Sequence, residues 1–334
     1  MVLLNCTIPE AYGGMGLSFL EEAMINEELG RGDPGFATIT GVTMLACHPV
    51  IFAGTDEQKA KYLGRVVNGE ISSYCVTEPG AGSDVKSIST TAVLEGDNYV
   101  INGAKMWIGG AGYADWFYVL ARTDDKDSYD SFSGFIVEAD SAGLEVGKKE
   151  NKMGQRCSDT RGVRFHNVKV PKENLLGGKE GGGWLQAMVA FDRCRPMLSS
   201  HALGNARGAM EEAWQYSNER MTFGKPIFEH QSISFMLADM STKIECARLL
   251  TYKAAHLLDK GERATLESAH AKRYAADIGM EVTTDAVQIF GGYGYSEEFP
   301  VARRMRGAKI YQIFGGSSQI QRLIIGRELN KKYK

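Results

Sequence analysis

The 334-residue chain has no two cysteines at C-x-x-C spacing and no histidine pair at H-E-x-x-H spacing. Its six cysteines (Cys6, Cys47, Cys75, Cys157, Cys194, Cys246) are scattered, which argues against a zinc site or a disulfide framework and fits a reducing compartment. His270 on a helical stretch and His201 beside small residues read as structural, so no metal is expected. A net charge of −3 lacks the basic excess that nucleic-acid binding needs. No uninterrupted apolar run is long enough to cross a bilayer, so no membrane insertion is expected. The opening segment MVLLNCTIPEAYGG has neither a charged leader nor a small-residue cleavage site, so no export signal is read. What remains is an ordinary soluble composition, 43% hydrophobic and 24% charged, long enough for more than one domain.

The hydrophobic period changes twice along the chain. Helical spacing runs through SFLEEAMINEELGRG, ATITGVTMLACHPVIFAG and TDEQKAKYL, where Thr55 and Asp56 are a plausible helix start. From Ile71 to about Leu176 the period is two, in SYCVTE, STTAVLE, NYVINGAKMWI, DWFYVLART, FSGFIVEA and GVRFHNVKV. Asn102-Gly103 reads as a hairpin turn, because both residues tolerate positive φ. Such short strands suggest a small antiparallel barrel or sandwich. Helical spacing returns after Gly181, as in Ile233, Met236, Leu237, Met240, Ile244 and in Ile320, Leu323, Ile324. Only Pro196, Pro226 and Pro300 punctuate it, which predicts long helices packed as a bundle. The expected division is an N-terminal helical domain at 1–70, a β-barrel domain at 71–177 and a helical bundle at 178–334.

Six ordered blocks then carry a family resemblance: YCVTEPGAGSD (74–84), INGAKMWI (101–108), MGQRCSDTRGVRF (153–165), ERMTFGKPIFEHQSI (219–233), DAVQIFGGYGY (285–295) and KIYQIF-x-GSSQIQRLI (309–324). Together they resemble the acyl-CoA dehydrogenases, most of all the medium-chain type, over essentially the whole chain. The resemblance implies a mainly α fold with a central β-domain, FAD as cofactor, an acyl-CoA thioester as substrate and an electron-transfer flavoprotein as partner. It also implies a homotetramer or homodimer acting in fatty acid metabolism, in a bacterial cytoplasm or in a mitochondrial matrix after loss of a targeting peptide. Carried over residue by residue, Tyr74, Val76, Thr77, Gly82 and Ser83 line the flavin and pyrophosphate, and Trp107 and Ile108 lie against the ring system. Arg220, Thr222, Phe223, Gln231, Gln288, Gly291 and Gly292 reach the cofactor from a neighbouring subunit, and Ser317 and Gln319 contact its adenosine side. Ser83, Asp192, Arg195, Phe314, Gly315 and Arg327 match positions near the acyl-CoA. By itself the Asp192/Arg195 spacing reads equally well as a helical ion pair.

The departures from the pattern bear on the chemistry. The family removes an α-proton with a carboxylate that follows YQI and an aromatic residue, whereas here Phe314 is followed by Gly315. Relatives that place the base on another helix have it at the position of Cys194, which reads here as a packing residue. Where the family has Trp-Ile-Thr-Asn this chain has Trp107-Ile108-Gly109-Gly110, losing a hydroxyl near the flavin; Arg-Asp-Ala-Lys becomes Arg306-Gly307-Ala308-Lys309. Glycine at 315 is expected to leave a cavity the size of a carboxyethyl group, while its backbone N–H and a ribityl hydroxyl still polarise the thioester. The chain also begins several dozen residues into the family pattern, which suggests a fragment, a wrong start or a need for a partner. Three readings follow: an FAD-dependent dehydrogenase scaffold impaired at Gly315; a flavoprotein running β-elimination or enoyl-CoA reduction; or a non-catalytic subunit paired with an active paralogue.

Overall fold

A computed structural model describes residues 6–334, so residues 1–5 of the expected N-terminal helical segment lie outside the described residues. The chain forms two compact units, each built from several stretches of sequence. One comprises Met1–Ser18, Ile39–Asn151 and Ser158–Asp192; the other comprises Phe19–Thr38, Lys152–Cys157 and Arg193–Lys334.

The first unit is organised on a seven-stranded sheet: β1 (Ser72–Cys75), β2 (Thr91–Glu95), β3 (Asn98–Gly109), β4 (Trp116–Arg122), β5 (Phe132–Glu138), β6 (Leu144–Lys149) and β7 (Thr160–Pro171). Strand β4 has the sequence WFYVLAR, apolar on both faces up to Arg122, because it pairs with β1 on one side and β5 on the other and is buried from Trp116 to Ala121. The β1–β4 pairing is parallel, in a sheet whose long ladders are otherwise antiparallel. Strand β6 carries almost no buried side chains, so it gave no periodic signal in the sequence.

The hairpin turn lies elsewhere than expected. Glu95 pairs with Asn98 across Gly96-Asp97, and Gly96 takes a φ of 59°. Asn102 and Gly103 sit inside β3, at a register shift against β7. There the glycine permits a bulge, since a Cβ on Gly103 would come within 2.4 Å of Thr90 Oγ1.

Helix α1 (Phe19–Gly32) belongs to the second unit, while α2 (Pro34–Ala53) contributes to both. Although Thr, Gly, His and Pro interrupt its apolar run, α2 is one continuous helix of 20 residues with mean hydropathy 1.6. By length and composition it could therefore cross a membrane, which corrects the reading of the bare sequence. Half of that stretch is buried within the protein, as in a core helix. Helix α3 (Asp56–Val67) starts where expected: Thr55 and Gln58 form a reciprocal capping box.

The second unit is helical. It holds most of α4 (Gly183–Glu219), then a two-residue ribbon of β8 (Met221–Thr222) and β9 (Lys225–Pro226). Next come α5 (Gln231–Asp259), α6 (Thr265–Phe290), α7 (Pro300–Ala308) and α8 (Ser318–Lys332). Helix α6 buries Ala271, Ala275, Ala276 and Gly279, small residues that let neighbouring helices approach closely. Leu237, Met240 and Ile244 of α5 are core, as their spacing predicts. The α8 stripe is not: Leu323 is 55% exposed, and the buried residues of that helix are Ser318 and Gln321.

Candidate functional site

The segment joining the end of α7 to α8 is a turn with two consecutive left-handed glycines, Gly315 (φ 61°) and Gly316 (φ 83°). Two side chains hold it. Lys272 of α6, 1% exposed, donates to the Tyr311 carbonyl at 2.6 Å and the Gly316 carbonyl at 2.7 Å. Gln321 Nε2 donates to the carbonyls of Gly316 at 2.9 Å and Gly315 at 3.3 Å. Ser317 caps α8 by accepting from the Ile320 N–H. With its carbonyls fixed in this way, the turn presents the Gly315 N–H, for which there is no acceptor among the described residues.

Burial pushes the Lys272 ammonium down to about 7; Cys194 and Asp277 oppose the shift and Arg195 adds to it. A neutral amine still carries two N–H donors, enough for both carbonyls.

Position 315 is not the cavity that the sequence suggested. A Cβ built on Gly315 would meet Leu198 Cδ1 at 2.4 Å and Lys272 Cε at 3.9 Å. Leu198 stands on α4 and has taken the room. Cys194, one turn earlier on that helix, is fully buried, as its packing role requires.

Within the first unit, the expected flavin-facing residues divide by exposure. Gly82, Ser83 and Trp107 are exposed and Thr77 is half-buried. Tyr74, Val76 and Ile108 have buried side chains; Tyr74 stacks on Tyr118 and donates to the Ala187 carbonyl. Backbone is therefore what those three offer a ligand. The 76–84 loop is anchored by Lys105, fully buried, which donates to Val76 O at 3.2 Å, Leu120 O at 2.7 Å and Glu78 Oε1 at 2.8 Å. Burial alone would raise the Glu78 carboxyl, but the Lys105 ammonium and hydrogen bonds from Lys105, Thr90 and Ser89 pull it down to about 2.

Trp107 has φ 64°, an uncommon conformation for a tryptophan, and its ring is 59% exposed. The glycines that follow are hemmed in. A Cβ on Gly109 would lie 2.9 Å from Val42 Cγ2, and one on Gly110 would lie 3.2 Å from Ser73 Oγ.

Within the second unit, six of the nine expected cofactor residues line two clefts. One, of about 440 Å³, is lined by Arg220, Thr222, Gly291 and Gly292 with Tyr216, Phe290 and Tyr293. Arg220 lies over the Tyr293 ring and has no ion-pair partner among the described residues. Phe223 beside it is 97% exposed, and Gln231 and Gln288 are exposed as well. The other cleft, of about 600 Å³, contains Ser317 and Gln319, with Asp277 held between Ser318, Gln312 and Arg322. Of the residues expected near acyl-CoA, Arg195 is buried, Asp192, Phe314 and Gly315 are half-buried, and Arg327 is exposed on α8. Phe314 packs edge-on against Tyr311.

The sequence reading missed Lys272, Gln321, Leu198 and Val42. Lys272 had a signal, a lone cation among the alanines of an apolar helix face, and Gln321 lay inside the 309–324 motif; Leu198 and Val42 had none, because they act on the site only through a close approach in space.

Models of the acyl-CoA dehydrogenase N-terminal, middle and C-terminal domains match residues 1–70, 73–168 and 181–330. The chain is 45% identical over 331 residues to the probable medium-chain specific acyl-CoA dehydrogenase 2, mitochondrial, of Caenorhabditis briggsae, covering 98% of this chain and 80% of that protein. It superposes on butyryl-CoA dehydrogenase of Megasphaera elsdenii with a TM-score of 0.95 and 43% identity, over 98% and 87% of the two chains. A chain from the structure described as the electron transferring flavoprotein of Acidaminococcus fermentans gives a TM-score of 0.96 and 44% identity, over 98% and 86%. With helical segments before and after a curled sheet in the chain and all three domain models matched, the chain belongs to the acyl-CoA dehydrogenases, a family of FAD-dependent oxidoreductases.

Proposed function

We propose that this chain binds FAD and an acyl-CoA thioester and polarises the thioester, but supplies no carboxylate at position 315 to remove the α-proton. The observation that carries the reading is the turn at 315–316, where Lys272 and Gln321 hold the carbonyls and the Gly315 N–H is left to donate. A preorganised donor of this kind lowers the energy of charge developing on a thioester oxygen, with or without a nearby base.

The residues fit FAD. An exposed tryptophan, an arginine without a carboxylate partner among the described residues and glycines with open space where a Cβ would point (Gly82, Gly291, Gly292) suit a flat ring system and a pyrophosphate. Trp107 would lie against the ring, and Arg220 would meet the cofactor of a second copy of the chain. When bound, FAD accepts the hydride that leaves the β-carbon. The chain's own part is to hold the thioester carbonyl on the Gly315 N–H and to place the acyl group by Phe314. A dimer or tetramer, electron delivery to an electron-transfer flavoprotein, and a division of the sequence near residues 70 and 177 belong to the same reading. So does a bacterial or mitochondrial matrix location.

The test is an anaerobic titration of the FAD-loaded protein with saturated acyl-CoAs of increasing length. The expected result is a spectral shift on binding, with flavin bleaching about 10²–10⁴-fold slower than a base-containing relative shows. Prompt bleaching would mean that another group removes the proton. The hydrocarbon packed against both Gly109 and Gly315 favours one second reading: β-elimination, in which solvent would take the α-proton as the β-group leaves with its electron pair, or enoyl-CoA reduction, in which reduced flavin would supply the hydride and solvent the α-proton. Consumption of a β-substituted thioester without bleaching would select it.

A further inference from the structure

We propose that Leu198 is a specificity-determining residue of this site: it stands in the room that a side chain at 315 would need, beside a backbone turn that already favours glycine. The inference rests on the reading of 315 as the position of the family base.

A Cβ at 315 would stand 2.4 Å from Leu198 Cδ1, far inside contact distance, whereas the next nearest atoms are at 3.9 Å. Leu198 is 9% exposed and follows Cys194 and Arg195, both buried, on a helix that continues unbroken through Pro196. Its Cδ1 is the end of a rotatable side chain, so a Cβ at 315 requires Leu198 to leave the rotamer it holds here. A second place in the protein repeats the arrangement independently. At Gly109, Val42 Cγ2 stands 2.9 Å from the missing Cβ. Each glycine therefore comes with a branched aliphatic side chain already moved into the space. A thioester resting on the Gly315 N–H meets hydrocarbon where a carboxylate would stand. Such a site retains acyl-CoA thioesters that need a protein base without processing them.

The contact is tested first without substrate. Gly315→Ala is made in the native chain and in Leu198→Ala, and the thermal midpoints of the four FAD-loaded proteins are compared. The positive φ strains alanine equally in both backgrounds and the cavity left by Leu198→Ala is subtracted, so the difference reports the contact alone. The expected result is a fall in midpoint about twofold larger, or more, when Leu198 is present. Gly315→Ala that folds only in the Leu198→Ala background gives the same support. Equal falls, or failure to fold in both backgrounds, overturn the inference.

Flavin bleaching by saturated acyl-CoA then compares Gly315→Glu with the double variant Leu198→Ala/Gly315→Glu. The double variant is expected to bleach about tenfold faster or more. Equal, measurable rates overturn the role given to Leu198. Bleaching in neither variant, with acyl-CoA bound to both, sinks the reading of 315 as the base position and leaves the melting comparison to decide the contact.

Discussion

Two buried lysines each pin a loop of this protein, and they do so under opposite electrostatic conditions. Lys105 holds the 76–84 loop of the sheet unit through two carbonyls and the Glu78 carboxylate. Lys272 holds the 311–316 turn of the helical unit through two carbonyls and no carboxylate. Burying an ammonium costs several kcal/mol unless an opposite charge offsets it. Lys105 has that offset and pulls its partner's carboxyl down to about 2. Lys272 has no carboxylate in contact among the described residues; Asp277 and Cys194 offset its burial only in part, and its affinity for the proton falls to about 7. One clamp is a fixed ion pair; the other is a polar clamp whose charge changes near neutral pH.

The largest expected effect comes from breaking the first clamp. Lys105→Met leaves Glu78 buried without a counter-charge, which costs about 3–5 kcal/mol of stability. Urea unfolding at pH 7 measures it, and protonating Glu78 at low pH should recover part of the loss. The native pair predicts the converse. Its contribution is complete above the usual 4.5 of a glutamate and is lost as pH falls through about 2.

The second clamp responds at the other end of the scale. An unfolded lysine keeps its proton to the usual 10.5, whereas folded Lys272 releases it near 7. Between those values the unfolded chain binds more protons, so stability rises with pH, by at most about 1.4 kcal/mol per unit. Below that window both states are protonated and the cost of burial is felt in full. Unfolding measured from pH 6 to 10 on the native chain and on Lys272→Met should show this slope only in the native chain. A native profile flat across the window would mean that Lys272 stays charged, supported by Asp277 and Cys194.

Much of this was legible in the sequence. Thr55 and Asp56 marked the start of a helix, and the alternating and apolar runs located six of the seven strands of the sheet. Strand β6 escaped because its side chains face outward, and the Asn102-Gly103 turn was misread because the same dipeptide serves a bulge as well as a hairpin. The turn at 315 was found from its motif. Its actual environment was not, since Leu198 is more than a hundred residues away in sequence and reaches Gly315 only through the packing of α4. A glycine in a sequence signals a missing side chain; whether the space is empty or occupied is a property of the fold.

A smaller effect separates the two clamps by what they serve. Lys272→Met removes the donor shared by Tyr311 and Gly316, and the Gly315 N–H loses its fixed direction. Acyl-CoA should bind about tenfold more weakly, equivalent to about 1.4 kcal/mol, with FAD content unchanged. Lys272→Arg cannot release its proton, so any affinity it restores should not vary between pH 6 and 9.

The smallest effect belongs to Gln321, whose amide contacts the same turn from α8. Gln321→Leu gives up hydrogen bonds of 2.9 and 3.3 Å to carbonyls, of which the Gly316 oxygen is also served by Lys272. One redundant and one long bond together are worth about 1 kcal/mol, so the thermal midpoint should fall only slightly. Combined with Lys272→Met, the loss should exceed the sum of the two, because the Gly316 carbonyl is then buried with no donor. Simple additivity would mean that each side chain holds its own carbonyl, and that the turn keeps its shape through its two left-handed glycines alone.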